Sequence, residues 1–193
     1  RIARRQRQMC IRDRYTKILS LVSETEYDVI VAGYGPVGET CANLLGYYGI
    51  KALILDKEKN TYPLPRAITW DAECQRAMSH CEFLSEVKTR KIRGVDNKDA
   101  NKKSIMKITM EGFDTYNYQH RILFIHQPQF DEAHRENAKK YPTNKIKTGS
   151  ELLAVDEVNG IISCTYKNID TDEKFTVKSL SLIHISEPTR RAI

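Results

Sequence analysis

Three glycines and one aspartate have the types and spacing that most clearly predict chemistry in this chain. Gly33, Gly35 and Gly38 form a G-x-G-x-x-G pattern, and Asp56 follows the next apolar run. Glycines let a backbone turn tightly and approach a diphosphate closely, and the amides that begin the next helix attract anions. A carboxylate such as that of Asp56 can accept hydrogen bonds from a ribose. The pattern therefore predicts a dinucleotide site.

The elements that must position these residues are predicted on both sides of them. Residues 28–32 and 51–55 are apolar runs typical of buried parallel strands. Between them lies a predicted helix that ends at Gly49, with Pro36 and Val37 in its first turn beside the diphosphate. The order is that of a βαβ unit. The side chains predicted to share the apolar face of the helix are Val37, Cys41, Leu44, Leu45 and Tyr48.

Simpler interpretations of the same residues stay open. The glycines could make only tight turns in another α/β protein, and Asp56 could be a solvated acid at the end of a strand. Lys57 either assists the adenosine phosphate or is solvated. If Asp56 does bind a ribose, it disfavours a 2′-phosphorylated ligand, because two negative groups would meet.

The rest of the chain alternates short elements. Two prolines predict an irregular loop over residues 61–67, and polar composition predicts another loop over residues 90–103. Asn159-Gly160 between apolar runs predicts a hairpin. Helices are predicted over residues 70–79, 82–87 and 129–140, and strands over residues 104–110, 116–118, 122–125, 145–148, 152–158, 161–166 and 175–180.

Two further polar residues stand where a cofactor could use them. Arg66 is an always-charged guanidinium on a loop stiffened by proline, a good partner for a diphosphate or else an ordinary surface arginine. Gln127 follows a buried strand and precedes a helix, where α/β sheets bind ligands, although it could simply cap the helix. The histidines lack ligand spacing such as H-x-x-x-H, so no metal site is predicted.

Three ordered motifs carry a resemblance to a known family. They are the glycine pattern extended to Ala42, PLPRAI at residues 63–68, and HQPQFDEAHRE at residues 126–136. Over roughly residues 27–180 the chain resembles the FAD-dependent aromatic hydroxylases, single-component flavoprotein monooxygenases that include 3-(3-hydroxyphenyl)propionate and phenol hydroxylase-like enzymes. Tyr34 and Glu39 depart from the family pattern, which usually has a small and an apolar residue there.

The resemblance implies an α/β fold, a Rossmann-like FAD-binding βαβ domain with an additional small β-sheet that is truncated before completion. It implies that Arg66 approaches the diphosphate, that Gln127 contacts the ribityl region, and that the strand at Leu153 offers backbone groups to adenine. It further implies NADPH or NADH as reductant and a small aromatic substrate. No catalytic acid or base is assigned, and because the family's Asp-Gly and Gly-Asp motifs are missing, we expect the fragment to be inactive.

Two other functions share parts of this pattern. Another FAD- or NAD-dependent oxidoreductase would need the glycine pattern and Asp56 but neither Arg66 nor Gln127. A non-catalytic dinucleotide-binding fragment would bind without turnover.

Both ends of the chain resemble translated sequencing adapters, residues 3–14 one adapter and residues 181–190 its counterpart. The predicted organisation is therefore an adapter-derived segment at 1–14, a partial FAD-binding domain at 15–180 and an adapter-derived segment at 181–193. The two ends carry net charges of +5 and +1 out of the total of +6, so residues 15–180 are neutral. Without a basic patch, no nucleic-acid partner is expected.

The remaining composition predicts a cytoplasmic protein that does not associate with membranes. No run of about 18 apolar residues could span a bilayer. The five cysteines show no C-x-x-C pair, which favours free thiols in a reducing compartment.

Overall fold

In the computed structural model, which describes residues 25–64, 67–79, 87–109 and 122–184, the chain divides into two units. The first combines residues 1–60 with 141–193, and the second is residues 61–140. The strands are β1 (Tyr27–Ala32), β2 (Ala52–Asp56), β3 (Ala67–Asp71), β4 (Thr89–Lys91), β5 (Gly94–Lys98), β6 (Ser104–Thr109), β7 (Ile122–His126), β8 (Asn144–Thr148), β9 (Ser150–Val158), β10 (Ile161–Asn168) and β11 (Lys174–His184). The helices are α1 (Pro36–Tyr47), α2 (Ala72–Ala77) and α3 (Gln127–Lys139).

A six-stranded sheet forms the first unit, in the order β8-β2-β1-β11-β10-β9. Strands β8, β2, β1 and β11 run parallel, whereas β10 and β9 continue the sheet antiparallel. Helix α1 connects β1 to β2, so the predicted βαβ unit is confirmed. The apolar runs at the end of β1 and through most of β2 are buried, as expected of central parallel strands. The core cluster on one side of this sheet consists of Ile30, Leu53, Leu55, Cys164, Tyr166 and Val177.

Small residues, together with Glu39 and Asn43, form the buried side of α1, and no large apolar residue is buried there. Gly38, Ala42 and Gly46 are buried at a spacing of four residues, whereas Val37 is 59% exposed and Tyr48 is 65% exposed. The apolar face predicted from the sequence is therefore wrong at both of its ends. The small residues serve close packing: a Cβ on Gly46 would lie 2.5 Å from the ring of Tyr141.

Two turns have the backbone conformations that their residue types predict. Gly49 adopts φ +71° after the last turn of α1, and its N–H donates to the carbonyl of Gly46, so the helix ends there as expected. Asn159 and Gly160 both have positive φ, at 56° and 82°. This confirms the predicted hairpin between β9 and β10, because a two-residue turn of this type needs positive φ at both positions.

The second unit contains a three-stranded antiparallel sheet, β3-β7-β4, and a separate pair, β5-β6. Trp70 and Phe130 pack edge to face with ring centroids 5.2 Å apart, which joins β3 to α3. Helix α2 begins at Asp71, whose carboxylate accepts a hydrogen bond from the N–H of Cys74 at 2.8 Å. The predicted helix over residues 70–79 thus starts later than expected, because Trp70 belongs to β3.

The predicted loop over residues 90–103 is wrong, since β4 and β5 occupy much of it. Their side chains are almost all exposed, so no apolar alternation marks them in the sequence. The strands predicted over residues 104–110, 122–125, 145–148, 152–158, 161–166 and 175–180 correspond to β6 through β11. Residues 80–86 and 110–121, which hold a predicted helix and a predicted strand, lie outside the described residues.

Strand β11 continues through residues predicted to derive from an adapter. Ser181 to His184 pair in parallel register with Val29 to Ala32. The adapter origin of residues 1–14 and 181–193 stays a prediction.

Replacing Gly38 by alanine is expected to destabilise the first unit strongly. Its Cβ would overlap the carbonyl oxygen of Gly33, a backbone atom that can move only if the turn itself moves. We expect G38A to lower the free energy of unfolding by about 3 kcal/mol, measured by urea denaturation. At Gly35 a Cβ meets no described atom within 4 Å, so G35A should stay within about 1 kcal/mol of wild type. Equal stability of the two variants would contradict this packing.

Candidate dinucleotide site

The turn between β1 and α1 is built on Gly33. This residue has φ +107°, a conformation that side chains disfavour, and its N–H donates to the carbonyl of Leu55 at 2.8 Å. The bond attaches the turn to the carboxyl end of β2. Gly38 packs against the same turn, because any Cβ on it would collide with Gly33.

Gly35 is the N-cap of α1 and leaves the start of the helix open. Its backbone is extended, at φ −87° and ψ −171°, and its carbonyl accepts the first helical hydrogen bond from Glu39 N–H at 2.8 Å. Pro36 has no N–H. The N–H groups of Val37 and Gly38 have no acceptor within the helix, because Glu39 is the first residue whose N–H bonds to a carbonyl of the helix. Gly35, Pro36 and Val37 are all exposed. The first turn thus presents amide donors and the positive end of the helix dipole to solvent.

The Asp56 carboxylate secures the glycine turn. Its Oδ2 accepts a hydrogen bond from the backbone N–H of Tyr34, and its Oδ1 accepts one from the N–H of Glu58, both at 2.9 Å. Asp56 therefore fixes the turn while its carboxylate stays half-exposed at the end of β2.

Tyr34 and Glu39, the two departures from the family pattern, both have buried side chains. Tyr34 is 1% exposed, although its N–H faces Asp56. Glu39 is completely buried on the packed side of α1, and its backbone carbonyl accepts a hydrogen bond from Asn43 Nδ2 at 2.8 Å. Glu39 belongs to the first turn of α1, but its side chain is buried and does not lie on the exposed surface there.

Of the other predicted site residues, Lys57 and Leu153 belong to the first unit. Lys57 follows Asp56 and is exposed. Leu153 lies on β9 with its side chain 44% exposed, while the neighbouring Leu152 packs against the core cluster. Arg66 lies outside the described residues, and Gln127 belongs to the second unit.

Gln127 is the first residue of α3, and its side chain is 6% exposed. Its Nε2 donates to Asp131 Oδ2 at 3.3 Å, one helical turn further on. Burial raises the pKa of the Asp131 carboxyl, while the hydrogen bond from Gln127 and the charge of Arg135 oppose the rise. The residue before the helix, His126, is exposed and makes no side-chain cap.

Helix α3 also buries a neutral histidine. His134 is completely buried, its Nδ1 lies 3.1 Å from the carbonyl oxygen of Phe130, and its ring lies 4.1 Å from that of Phe130. Burial lowers the pKa of His134 to about 4, although the contact with the Phe130 carbonyl opposes this shift. The imidazole is therefore uncharged at neutral pH.

Sequence reasoning missed three features of the site. Asp131 and Glu39 are buried although charged residues usually lie on the surface, and no sequence pattern marked them. The hydrogen bond from Tyr34 to Asp56 uses a backbone donor and so depends on the turn, not on a residue type. Among the described residues, no group of three His, Cys, Asp or Glu could bind a metal, and none of the helices is long and apolar enough to cross a bilayer.

Known proteins share the sequence pattern over most of the chain. A family model described as "FAD binding domain" matches residues 26–183. A 3-(3-hydroxy-phenyl)propionate/3-hydroxycinnamic acid hydroxylase of Comamonas testosteroni is 27% identical over 154 residues, which are 79% of this chain and 26% of that protein. The chain thus spans about a quarter of the length of this relative.

Solved structures share the fold. The p-nitrophenol 4-monooxygenase PnpA from Pseudomonas putida DLL-E4 superposes with a TM-score of 0.72 at 20% identity, covering 87% of this chain and 42% of that chain. The flavin-dependent monooxygenase PieE, whose structure contains FAD and substrate, superposes with a TM-score of 0.62 at 15% identity, covering 81% of this chain and 29% of that chain. At these identities the likeness establishes the fold alone.

The buried histidine predicts how stability depends on pH. The pKa of His134 falls from an unfolded value of 6.5 to about 4, so its contribution is complete above pH 6.5 and is lost as pH falls toward 4. Wild type should therefore lose up to about 1.4 kcal/mol of unfolding free energy per pH unit in this window relative to H134L.

Urea denaturation from pH 7 to pH 4 measures this difference. The variant H126Q changes an exposed histidine beside the same helix and should keep the wild-type profile. The assignment is wrong if H134L and wild type lose stability in parallel.

Proposed function

The chain belongs to the FAD binding domain family, and on that premise we propose that it is the FAD-binding part of a flavin-dependent monooxygenase that hydroxylates a phenolic ring. The family predicted from the three motifs is confirmed by the match over residues 26–183. The activity, the substrate and the reductant belong to the complete protein and are part of the proposal.

The observation that carries the proposal is the open space at Gly35. A Cβ there would meet no described atom within 4 Å, while the same addition at Gly38 would strike the backbone of Gly33. The turn therefore packs tightly against the helix at Gly38, while the space next to Gly35 is open. We assign the FAD diphosphate to this opening, where Gly33, Gly35 and Gly38 shape the backbone and Pro36 and Val37 form the first turn.

Asp56 and Lys57 are assigned to the adenosine half of FAD. Asp56 lies half-exposed at the carboxyl end of β2, and its carboxylate suits the hydroxyl donors of a ribose. Its carboxylate is held by the backbone N–H groups of Tyr34 and Glu58, so little side-chain freedom would be lost when a ribose binds. The exposed ammonium group of Lys57 would add attraction for the phosphates.

Three residues are assigned with the family resemblance as their main support. Arg66 would approach the diphosphate, and backbone groups near Leu153 would contact adenine. Gln127 has an observation of its own, since its buried Oε1 has no hydrogen-bond partner among the described residues. A buried amide oxygen of this kind fits a ligand that brings a hydroxyl donor.

We further propose that NADPH or NADH is the reductant and that the substrate is a small aromatic compound. The printed name of the Comamonas relative, a hydroxylase of hydroxyphenyl compounds, supports the substrate class. FAD, when bound, supplies the electron transfer and oxygen chemistry, and the residues described here hold and orient it. None of them is assigned as a catalytic acid or base, and we propose that the chain alone does not turn over substrate.

Binding of FAD to the 193-residue chain tests the proposal, and G35A is the variant that tests the site. We expect wild type to quench FAD fluorescence saturably and to prefer FAD over NAD in competition. G35A should fold normally but bind FAD at least about tenfold more weakly, because its Cβ fills the opening.

The variant T40A is the matched control. Thr40 lies one turn further along α1, and its hydroxyl donates to the carbonyl of Pro36, away from the opening. T40A should bind FAD like wild type. Preference for NAD over FAD would favour a different oxidoreductase. Unchanged FAD binding by G35A would show that the diphosphate does not bind at this turn.

A further inference from the structure

Strands β5 and β6 form a separate two-stranded sheet, and the segment that contains them is strongly basic. Residues 88–107 include eight lysines and arginines against two aspartates, which gives a net charge of +6. All eight basic side chains are exposed. Residues 15–180 are neutral in total, so the neutral total conceals a cationic surface. We call residues 94–109, the two strands and the turn between them, the ribbon.

The first aspartate of the ribbon interacts with its own neighbours. Asp96 Oδ2 lies 3.6 Å from the ammonium nitrogen of Lys98, and Asp96 Oδ1 accepts a hydrogen bond from Ser104 Oγ at 2.5 Å. These contacts join the end of β5 to the start of β6. The carboxylate therefore ties the strands together and offsets the charge of a single lysine.

The second aspartate fixes the turn that presents two further lysines. Asp99 Oδ1 accepts hydrogen bonds from the backbone N–H groups of Asn101 and Lys103 at 2.9 and 2.8 Å, and the N–H of Asp99 donates to the carbonyl of Lys103 at 2.9 Å. The side chains of Lys102 and Lys103 are exposed and have no acidic partner among the residues that the structure describes. The turn therefore holds two ammonium groups toward solvent.

Two apolar side chains are exposed directly beyond these lysines. Ile105 is 72% exposed and Met106 is 48% exposed. Neighbouring residues of a strand point to opposite faces, so each face of the ribbon has an apolar side chain near its turn. Cations beside exposed apolar groups suit a membrane surface, because lysines attract anionic lipid headgroups while apolar groups enter the boundary between headgroups and acyl chains.

We propose that the end of the ribbon, residues 98–107, docks on the surface of an anionic lipid bilayer. The lysines of the turn contact the lipid phosphates, and Ile105 and Met106 enter the interface. The sequence-based expectation of no membrane association rested on the lack of a run that could span a bilayer, which a surface contact does not require. The inference does not depend on FAD binding.

Nucleic acid is the other polyanion that a basic ribbon could bind. Residues 94–109 contain no aromatic side chain on which a base could stack, and the phosphate backbone offers no favourable partner for the exposed Ile105. The exposed apolar pair therefore favours lipid over nucleic acid.

Co-sedimentation of the full 193-residue chain with lipid vesicles tests this inference. The probes are vesicles of phosphatidylserine and phosphatidylcholine in equal parts and vesicles of phosphatidylcholine alone. We expect the chain to bind only the anionic vesicles. Raising NaCl from about 0.1 M to about 1 M should release it, since the Debye length falls from about 10 Å to about 3 Å.

Two variants locate the contact on the ribbon. K98Q/K102Q/K103Q removes three charges and should bind anionic vesicles about a hundredfold more weakly, because each lysine at such a surface contributes about fivefold. I105S removes no charge and should weaken binding about tenfold by loss of the apolar contact. Both variants should melt at the wild-type temperature, since the replaced side chains are exposed.

The matched control is R4Q/R5Q/R7Q, which removes three charges from the arginine-rich segment at the start of the chain. It should retain most of the binding. Equal losses by the two triple variants would show a general effect of charge and overturn the inference, and so would unchanged binding by I105S. A chain that binds duplex DNA but neither kind of vesicle would identify nucleic acid as the partner and would also overturn it.

Discussion

The contact between Gly38 and the carbonyl group of Gly33 is the constraint on which the rest of the first unit depends. It allows α1 to start directly above the end of β1, with no side chain between helix and turn. Because the helix starts there, its first amides lie at the carboxyl edge of the parallel strands, beside Asp56. Gly46 repeats the close approach two turns later against Tyr141, which fixes the direction of the helix as well as its origin.

The two units offer opposite hydrogen-bonding character. The first presents backbone donors at the start of α1, which suit an anion. The second presents the buried acceptor oxygens of Gln127 and Asp131, which suit hydroxyl groups and would repel an anion.

Sequence reasoning succeeded where backbone chemistry decides the structure. The glycine pattern located the turn, and Asn159-Gly160 located a hairpin, because both depend on positive φ angles that few residues adopt. It failed where packing decides. The buried side of α1 consists of glycine, alanine and two polar residues, Glu39 and Asn43, which apolar periodicity does not register, so exposed Val37 was expected to lie in the packed face.

The same limit applies to polar residues. Strands β4 and β5 are exposed, so their sequence reads as a loop. Asp131 and Glu39 are buried by contacts that form only in the tertiary structure, and a single sequence contains no sign of them. The position of Gln127 directly after a strand identified it in the sequence. Its partner Asp131 was not identified, because a charged residue four positions further along a helix is normally solvated.

An amide NMR titration of the chain with FAD tests the central claim most directly. The account predicts that the NMR signals of the backbone amides of Gly35, Val37 and Gly38 shift together as FAD binds, because these amides meet the diphosphate. The signal of the Tyr34 amide should shift as well, because this amide donates a hydrogen bond to Asp56. Saturable FAD binding that leaves these four amides unmoved would contradict the account, since the cofactor would then lie away from the glycine turn.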